Sequence, residues 1–252
     1  KLWIEALSIK ARLLERLDRP GEAVETVQAA EASLKGDENE AILVAMLRLD
    51  RVPPLLRAER IDEARALLES EKERLKGVDF GGEAQALFVA TFNDRVAALF
   101  LAEKDFARAR GAAEAALTLL QPLSAAANGL RMEAARRLAE ARAGGLDAAA
   151  TEAALRQAIA ASEALFSPSH PEVAYDLSAY ALHLKERDRL EEAEAALKRI
   201  VDILARAHGP ASLRHAYALA NLADATARRG RLEEAERLLA RAQEGVAAAQ
   251  GP

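Results

Sequence analysis

An all-α solenoid of about six antiparallel helical hairpins is the fold class that the sequence predicts. The first ground is self-similarity. A shift of 42 residues places Tyr175 on Tyr217, Leu177 on Leu219 and Ala181 on Ala223. The same shift lays Arg189-Leu190-Glu191-Glu192-Ala193-Glu194 on Arg231-Leu232-Glu233-Glu234-Ala235-Glu236, and Gly209-Pro210 on Gly251-Pro252. A period between 20 and 50 residues marks stacked units, each unable to bury its apolar face alone. The second ground is composition: the chain is 51% hydrophobic and 30% charged but only 4% aromatic. Alanine, leucine, glutamate and arginine dominate it, and all four favour helix.

The third ground is a recurring pair of small residues twelve positions apart. It is seen at Ala11/Ala23, Val52/Ala64, Ala97/Ala109, Ala139/Thr151, Ala181/Ala193 and Ala223/Ala235. Four residues further on stand Val27, Leu68, Ala113, Leu155, Leu197 and Leu239. Two antiparallel helices approach closely where small side chains meet, and a larger apolar residue one turn along fills the adjoining gap.

Each element follows in order. The spacing predicts first helices near 2–17, 39–52, 83–102, 125–143, 171–187 and 212–229. Second helices are expected near 20–35, 61–76, 105–120, 148–165, 190–207 and 232–249. The hairpins then span about 1–36, 38–77, 83–121, 124–166, 170–208 and 211–250, one array over 1–252. Asp18-Arg19-Pro20 closes a helix and opens the next, with Pro20 at a first helical position. Gly36 and Gly77 each follow a lysine and read as C-terminal stops. Ser124, and Ser169 ahead of Pro171, read as N-caps. Gly144-Gly145 breaks the fourth unit and Gly230 turns the sixth. Pro53-Pro54 falls inside an expected helix, where two backbone donors are missing and the rings clash with the preceding turn. A break or sharp kink is expected there.

The charge balance narrows the function classes. A formal net charge of −5 argues against nucleic acid as partner. The absence of cysteine removes disulfides and thiolate metal sites. No apolar run has the length of a membrane span, and the N-terminus lacks a signal-peptide pattern. These features fit a cytoplasmic protein. The chain starts without methionine, on Leu2-Trp3-Ile4, which suggests a segment of a longer polypeptide.

The whole chain resembles the tetratricopeptide repeat in its 42-residue form, as in kinesin light chains and bacterial signalling arrays, with the specific matches in the last third. His170-Pro171-Glu172-Val173-Ala174 with Leu177 and Ala181 is similar to the opening of such a repeat. Leu190-Glu191-Glu192-Ala193-Glu194 is similar to the start of its second helix, and His208-Gly209-Pro210 to its trailing loop. The resemblance implies a right-handed superhelix whose first helices line a concave groove for a peptide or partner helix. Of the family's carboxylate-clamp positions, matched here by Ser8, Arg12, Asp50 and Asn221, Asn221 alone has the expected type.

Chemistry other than binding finds no residues. No phosphate loop surrounds Gly81-Gly82 or Gly144-Gly145. His170, His183, His208 and His215 lack the spacing of a ligand pair, so neither metal nor cofactor is expected. Carboxylates, with arginine or lysine three or four residues away, read as solvated pairs on exposed faces. Ser162, Ser167 and Ser178 have no oriented base.

The reading is a non-catalytic protein-interaction module, a scaffold or a partner-sensing part of a larger bacterial signalling protein. The alternative is a sensor that closes around a peptide or small diffusible ligand. By the family's geometry the groove would be carried by Arg95, Arg136, Arg137, Tyr175, Tyr217 and Asn221, beside Asp94, Glu133 and Asp224. The two tyrosines either face the groove or cover the joint between hairpins. Leu232, Leu239 and Val246 on the last helix would be left uncovered, which predicts self-association through uncapped ends.

Overall fold

The computed structural model describes residues 6–7, 10–11, 13–14, 17–33, 41–74, 76–145 and 148–250. Trp3, Ser8, Arg12, Gly36, Gly251 and Pro252 lie outside them. Among the described residues every regular element is a helix. Residues 1–151 and 152–252 form two compact units. The first holds α1 (Pro20–Ala32), α2 (Ala41–Leu49), α3 (Val52–Arg57), α4 (Ile61–Arg74), α5 (Gly82–Ala102), α6 (Phe106–Leu120) and α7 (Asn128–Gly144). The helix α8 (Ala148–Phe166) spans the division. The second unit continues with α9 (Pro171–Glu186), α10 (Leu190–His208), α11 (Leu213–Arg228) and α12 (Leu232–Gln250). Successive helices pack on one another: α5 on α6 and α6 on α7 in the first unit, α9 through α12 in the second.

All six pairs of small residues are buried, from Ala11 at 3% exposure and Ala23 at 0% to Ala223 at 1% and Ala235 at 4%. The larger residue one turn on is buried at Val27, Leu68, Leu155 and Leu197, whereas Leu239 is 45% exposed. On α12 the inward residues Ala235, Leu238 and Ala242 are buried, Leu232 is exposed, and Val246 is half-buried.

One turn design joins the helices of a hairpin, and it recurs in register. Asp18, Glu59, Lys104, Asp188 and Gly230 all have left-handed backbone, with φ of 56°, 58°, 60°, 59° and 81°. Each lies five residues before the buried small residue of the following helix. The next amide donates back across the helix end: Arg19 to Leu14 O, Arg60 to Leu55 O, Asp105 to Phe100 O, Arg189 to Leu184 O and Arg231 to Thr226 O, at 2.8–3.2 Å. This is the Schellman closure, which satisfies carbonyls that the helix end would otherwise leave without partners. The donating residue then pairs with a charge three positions on: Arg19–Glu22, Arg60–Glu63, Asp105–Arg108, Arg189–Glu192 and Arg231–Glu234. Such exposed pairs contribute little each, so the backbone closure sets the turn.

Only the last of the five turns has glycine at the left-handed position. An L-residue there is disfavoured by about 1–2 kcal/mol, partly offset by glycine's greater freedom in the unfolded chain. Lys104→Gly is therefore expected to stabilise by about 0.5–1 kcal/mol, and Gly230→Ala to destabilise by about 1 kcal/mol. Thermal melts of both variants check this; an unchanged or lowered melting point for Lys104→Gly would contradict it.

The expected break at the prolines is present. The helix stops at Leu49 and resumes at Val52, with the Asp50 amide donating to Met46 O at 2.9 Å and that of Arg51 to Arg48 O at 3.1 Å. Pro53 and Pro54 thus occupy the first turn of α3, where their missing N–H groups cost nothing. Ser169 is not the cap of α9: His170 is, its Nδ1 accepting from the Glu172 amide at 3.2 Å. Ser124 precedes a 3₁₀ turn at Ala125–Ala127, but its Oγ donates to Glu83 rather than capping. Gly144 ends α7 and also does packing duty, because the Phe106 ring lies where its side chain would be.

The expectation that carboxylates keep to exposed faces fails at Glu71, Asp94, Asp176 and Glu194, all buried. For Glu194 the pairing follows the repeat. Glu152 receives Arg189 at 2.5 Å and Arg156 at 2.7 Å. Its equivalent 42 residues on, Glu194, receives Arg231, Arg229 at 2.5 Å and Lys198 at 2.6 Å. Each glutamate opens a second helix and is met from the next hairpin's turn, so the pair locks neighbouring hairpins. At the corresponding register of the first unit the signs are exchanged, with Arg65 meeting Glu103 at 2.8 Å.

Candidate functional site

The six residues singled out by sequence fall into two groups, one in each unit. In the first unit Asp94 and Arg95 sit midway along α5, between Phe92 and Val96. Asp94 is fully buried and the Arg95 side chain is 8% exposed. Arg95 Nη1 donates to Asp94 Oδ2 at 2.6 Å and to Glu133 Oε2 at 2.9 Å, and Nη2 reaches Asp50 Oδ1 at 3.4 Å. From α7, Arg137 Nη1 lies 3.2 Å from Asp94 Oδ1. Burial pushes the Asp94 carboxyl above its ordinary value against the opposing pull of Arg137 and Arg95. Burial acts the same way on Glu133, but Arg95 and Arg137 outweigh it and hold that carboxyl below the ordinary value. Arg95 stays ionised: burial disfavours its charge, and Glu133, Asp94 and Asp50 more than compensate.

The expectation that Arg95 projects into an open groove is therefore corrected. It is a buried tie between the segment after α2, helix α5 and helix α7. The physical reason is its neighbour: once Asp94 is enclosed, its charge requires cations at contact distance. Arg137 is consumed by the same cluster, and Arg136 is half-buried beside it.

In the second unit Tyr175, Tyr217 and Asn221 do come together. They line one cavity of about 450 Å³ between α9, α10 and α11. Residues spaced three and four apart put one face of α9 toward it, from Pro171 through Ala174, Tyr175, Ser178 and Leu182 to Lys185. The facing stripe on α11 is Arg214, Tyr217, Ala218 and Asn221, and Leu197, Ile200 and Leu204 of α10 supply the base. Leu197 and Ile200 are buried, while both tyrosines are 67% exposed. The tyrosines thus border open space instead of sealing a joint. Ser178 donates to Ala174 O at 2.7 Å and is not poised as a nucleophile. Lys185 is paired with Asp224.

Sequence reasoning missed Arg214, Leu182 and the α10 residues. Arg214 sits one helical turn from Tyr217 and Leu182 two turns from Tyr175, each on its tyrosine's face, a spacing that marks them once the tyrosines are chosen. The α10 residues carry no polar sign of a site and appear as core. Elsewhere His183 is buried, and burial with Arg187 nearby lowers its pKa from the ordinary 6.5. Among the described residues no cluster of histidine and carboxylates is arranged to hold a metal, and no helix is long and apolar enough to cross a membrane.

Residues 175–247 match the tetratricopeptide repeat family model. A search of curated proteins returned no match. Among solved structures the chain is similar to BtubC (BKLC) from P. vanneervenii, at 17% identity and TM-score 0.70, covering 95% of this chain and 93% of that one. It is similar to a putative kinesin light chain with nearly identical TPR-like repeats from Podosopora anserina, at 17% identity and TM-score 0.65, covering 79% and 92%. Aspartyl phosphate phosphatase F from Bacillus subtilis follows at 12% identity and TM-score 0.60, covering 96% and 74%. At these identities the likeness is one of fold. Residues 175–247 are therefore tetratricopeptide repeats, in a chain whose helical-hairpin fold is that of these TPR-like structures.

Proposed function

We propose that the chain is a non-catalytic protein-interaction module that holds a segment of a partner protein along the groove between α9 and α11. The observation that carries this is the pair of tyrosines at equivalent repeat positions, both 67% exposed, over a base of leucine and isoleucine. Exposed aromatic rings beside an apolar cleft are what binding hot spots are made of, and 450 Å³ is within the range of ligand clefts. The proposal places the module in the cytoplasm, as the scaffold or partner-sensing part of a larger bacterial signalling protein. In it the Arg95 cluster acts as internal framework. Self-association through Leu232 and Leu239 of α12 belongs to the same proposal and is read from concentration-dependent sedimentation.

The combined Tyr175→Ala and Tyr217→Ala variant is expected to lose at least about 2 kcal/mol of partner affinity, roughly 30-fold. Its melting temperature should stay close to that of the wild type, because both rings are exposed. The partner is identified by crosslinking in cells and the affinity measured by calorimetry with the purified pair. Equal affinities for variant and wild type would remove the groove from the proposal.

A further inference from the structure

We infer that the groove between α9 and α11 selects an acidic segment carrying a bulky aliphatic side chain, whose carboxylate pairs with Arg214. The inference rests on the groove reading above and adds the chemistry of the occupant.

Charge is the deciding observation. Two cations line the cavity, Lys185 and Arg214, and no carboxylate does. Lys185 is already neutralised by Asp224. Arg214, exposed at the start of α11, pairs with no carboxylate among the described residues. The groove is thus a local positive site on a protein of net charge −5. A basic partner would gain from the overall field but would meet Arg214 unfavourably at contact distance, where the closest charge dominates. An acidic segment has the reverse balance, and guanidinium presents the planar fork that a carboxylate fits.

The apolar half of the recognition comes from the geometry. Arg214, Tyr217 and Asn221 run along α11 at intervals of three and four, opposite Tyr175 and Leu182 on α9. An aliphatic side chain lying between the two tyrosines would rest on Leu197 and Ile200. A carboxylate one or two residues away along an extended segment would then fall beside Arg214, about one helical turn from Tyr217. Asn221, on the other side of Tyr217, offers amide groups that can pair with the segment's backbone.

The test uses the full chain and three fluorescein-labelled nonapeptide pools, read by anisotropy. One pool has central leucine flanked by Asp, Glu, Ser and Gly. A second has central leucine flanked by Lys, Arg, Ser and Gly. The third is the acidic pool with serine in place of leucine. The acidic leucine pool is expected to bind at least ten-fold tighter than either of the others. Arg214→Glu should weaken it at least ten-fold and shift the preference to the basic pool, and Arg214→Gln should abolish the preference. Tyr217→Ala should weaken every pool. Equal or tighter binding of the basic pool, or indifference to both Arg214 variants, overturns the acidic occupant; if Tyr217→Ala still weakens binding, the groove reading survives. Binding by no pool, or binding indifferent to Tyr217→Ala, overturns both. Circular dichroism melts of each variant confirm that the fold is retained.

Discussion

Arg95→Met is expected to destabilise the first unit by about 3 kcal/mol. Removing one partner of a buried ion pair leaves the other charge enclosed and uncompensated, a loss of about 3–5 kcal/mol. The lower end applies because Asp94 keeps Arg137 at 3.2 Å, while Glu133 and Asp50, whose side chains are 42% and 43% exposed, can turn to water. Adding Asp94→Leu in the same chain should recover at least half of the loss, since replacing both charges with apolar groups removes the desolvation penalty as well. Melting temperature reports the size of the effect, and hydrogen exchange of amides in α5 and α7 reports its location, which matters because repeat arrays need not unfold in one step. A single variant within about 0.5 kcal/mol of wild type, or a double variant worse than the single, would mean that the cluster does not tie these helices together.

Gly144→Ala is expected to cost about 2–3 kcal/mol, the upper part of the range for an overpacked site. A Cβ at position 144 would lie 2.3 Å from two atoms of the Phe106 ring and 2.6 Å from a third. Real carbon contacts are not so short, so the ring or the end of α7 must move. The backbone at Gly144 is ordinary helix, hence the methyl group itself carries the cost, against the usual gain from replacing a helical glycine. The pair Gly144→Ala with Phe106→Ala isolates the contact: freed of the ring, the alanine should be neutral or mildly stabilising relative to Phe106→Ala alone. A loss of the same size in both backgrounds would trace the effect to something other than the ring.

Gly144, Gly230 and the other four turns differ in how far the sequence reveals them. Gly230 was read as a turn and is one, with left-handed backbone. Gly144 was read as a breaker; it also makes room for a ring 38 positions earlier in the chain, which no local pattern announces. At the turns, Asp18, Glu59, Lys104 and Asp188 take the same left-handed conformation as Gly230 without being glycine. The repeat register predicts the position of each turn, but the residue type conceals its conformation.

What the sequence determined by itself was the period, the helical state and the helix-to-helix contact points. Those depend on local propensity and on small residues at fixed spacing, both written along the chain. The break at Pro53-Pro54 belongs to the same class, because a missing donor acts within one turn. The tertiary structure alone decided which polar residues remain available. Arg95 and Asn221 are equivalent by spacing, each two residues before the small residue of its helix, yet Arg95 is enclosed with Asp94, Glu133 and Asp50 while Asn221 lines the groove. Whether a charge is solvated depends on the three-dimensional neighbours that exclude water and supply counter-charges, and for Arg95 two of the three carboxylates lie 45 and 38 residues away in the chain.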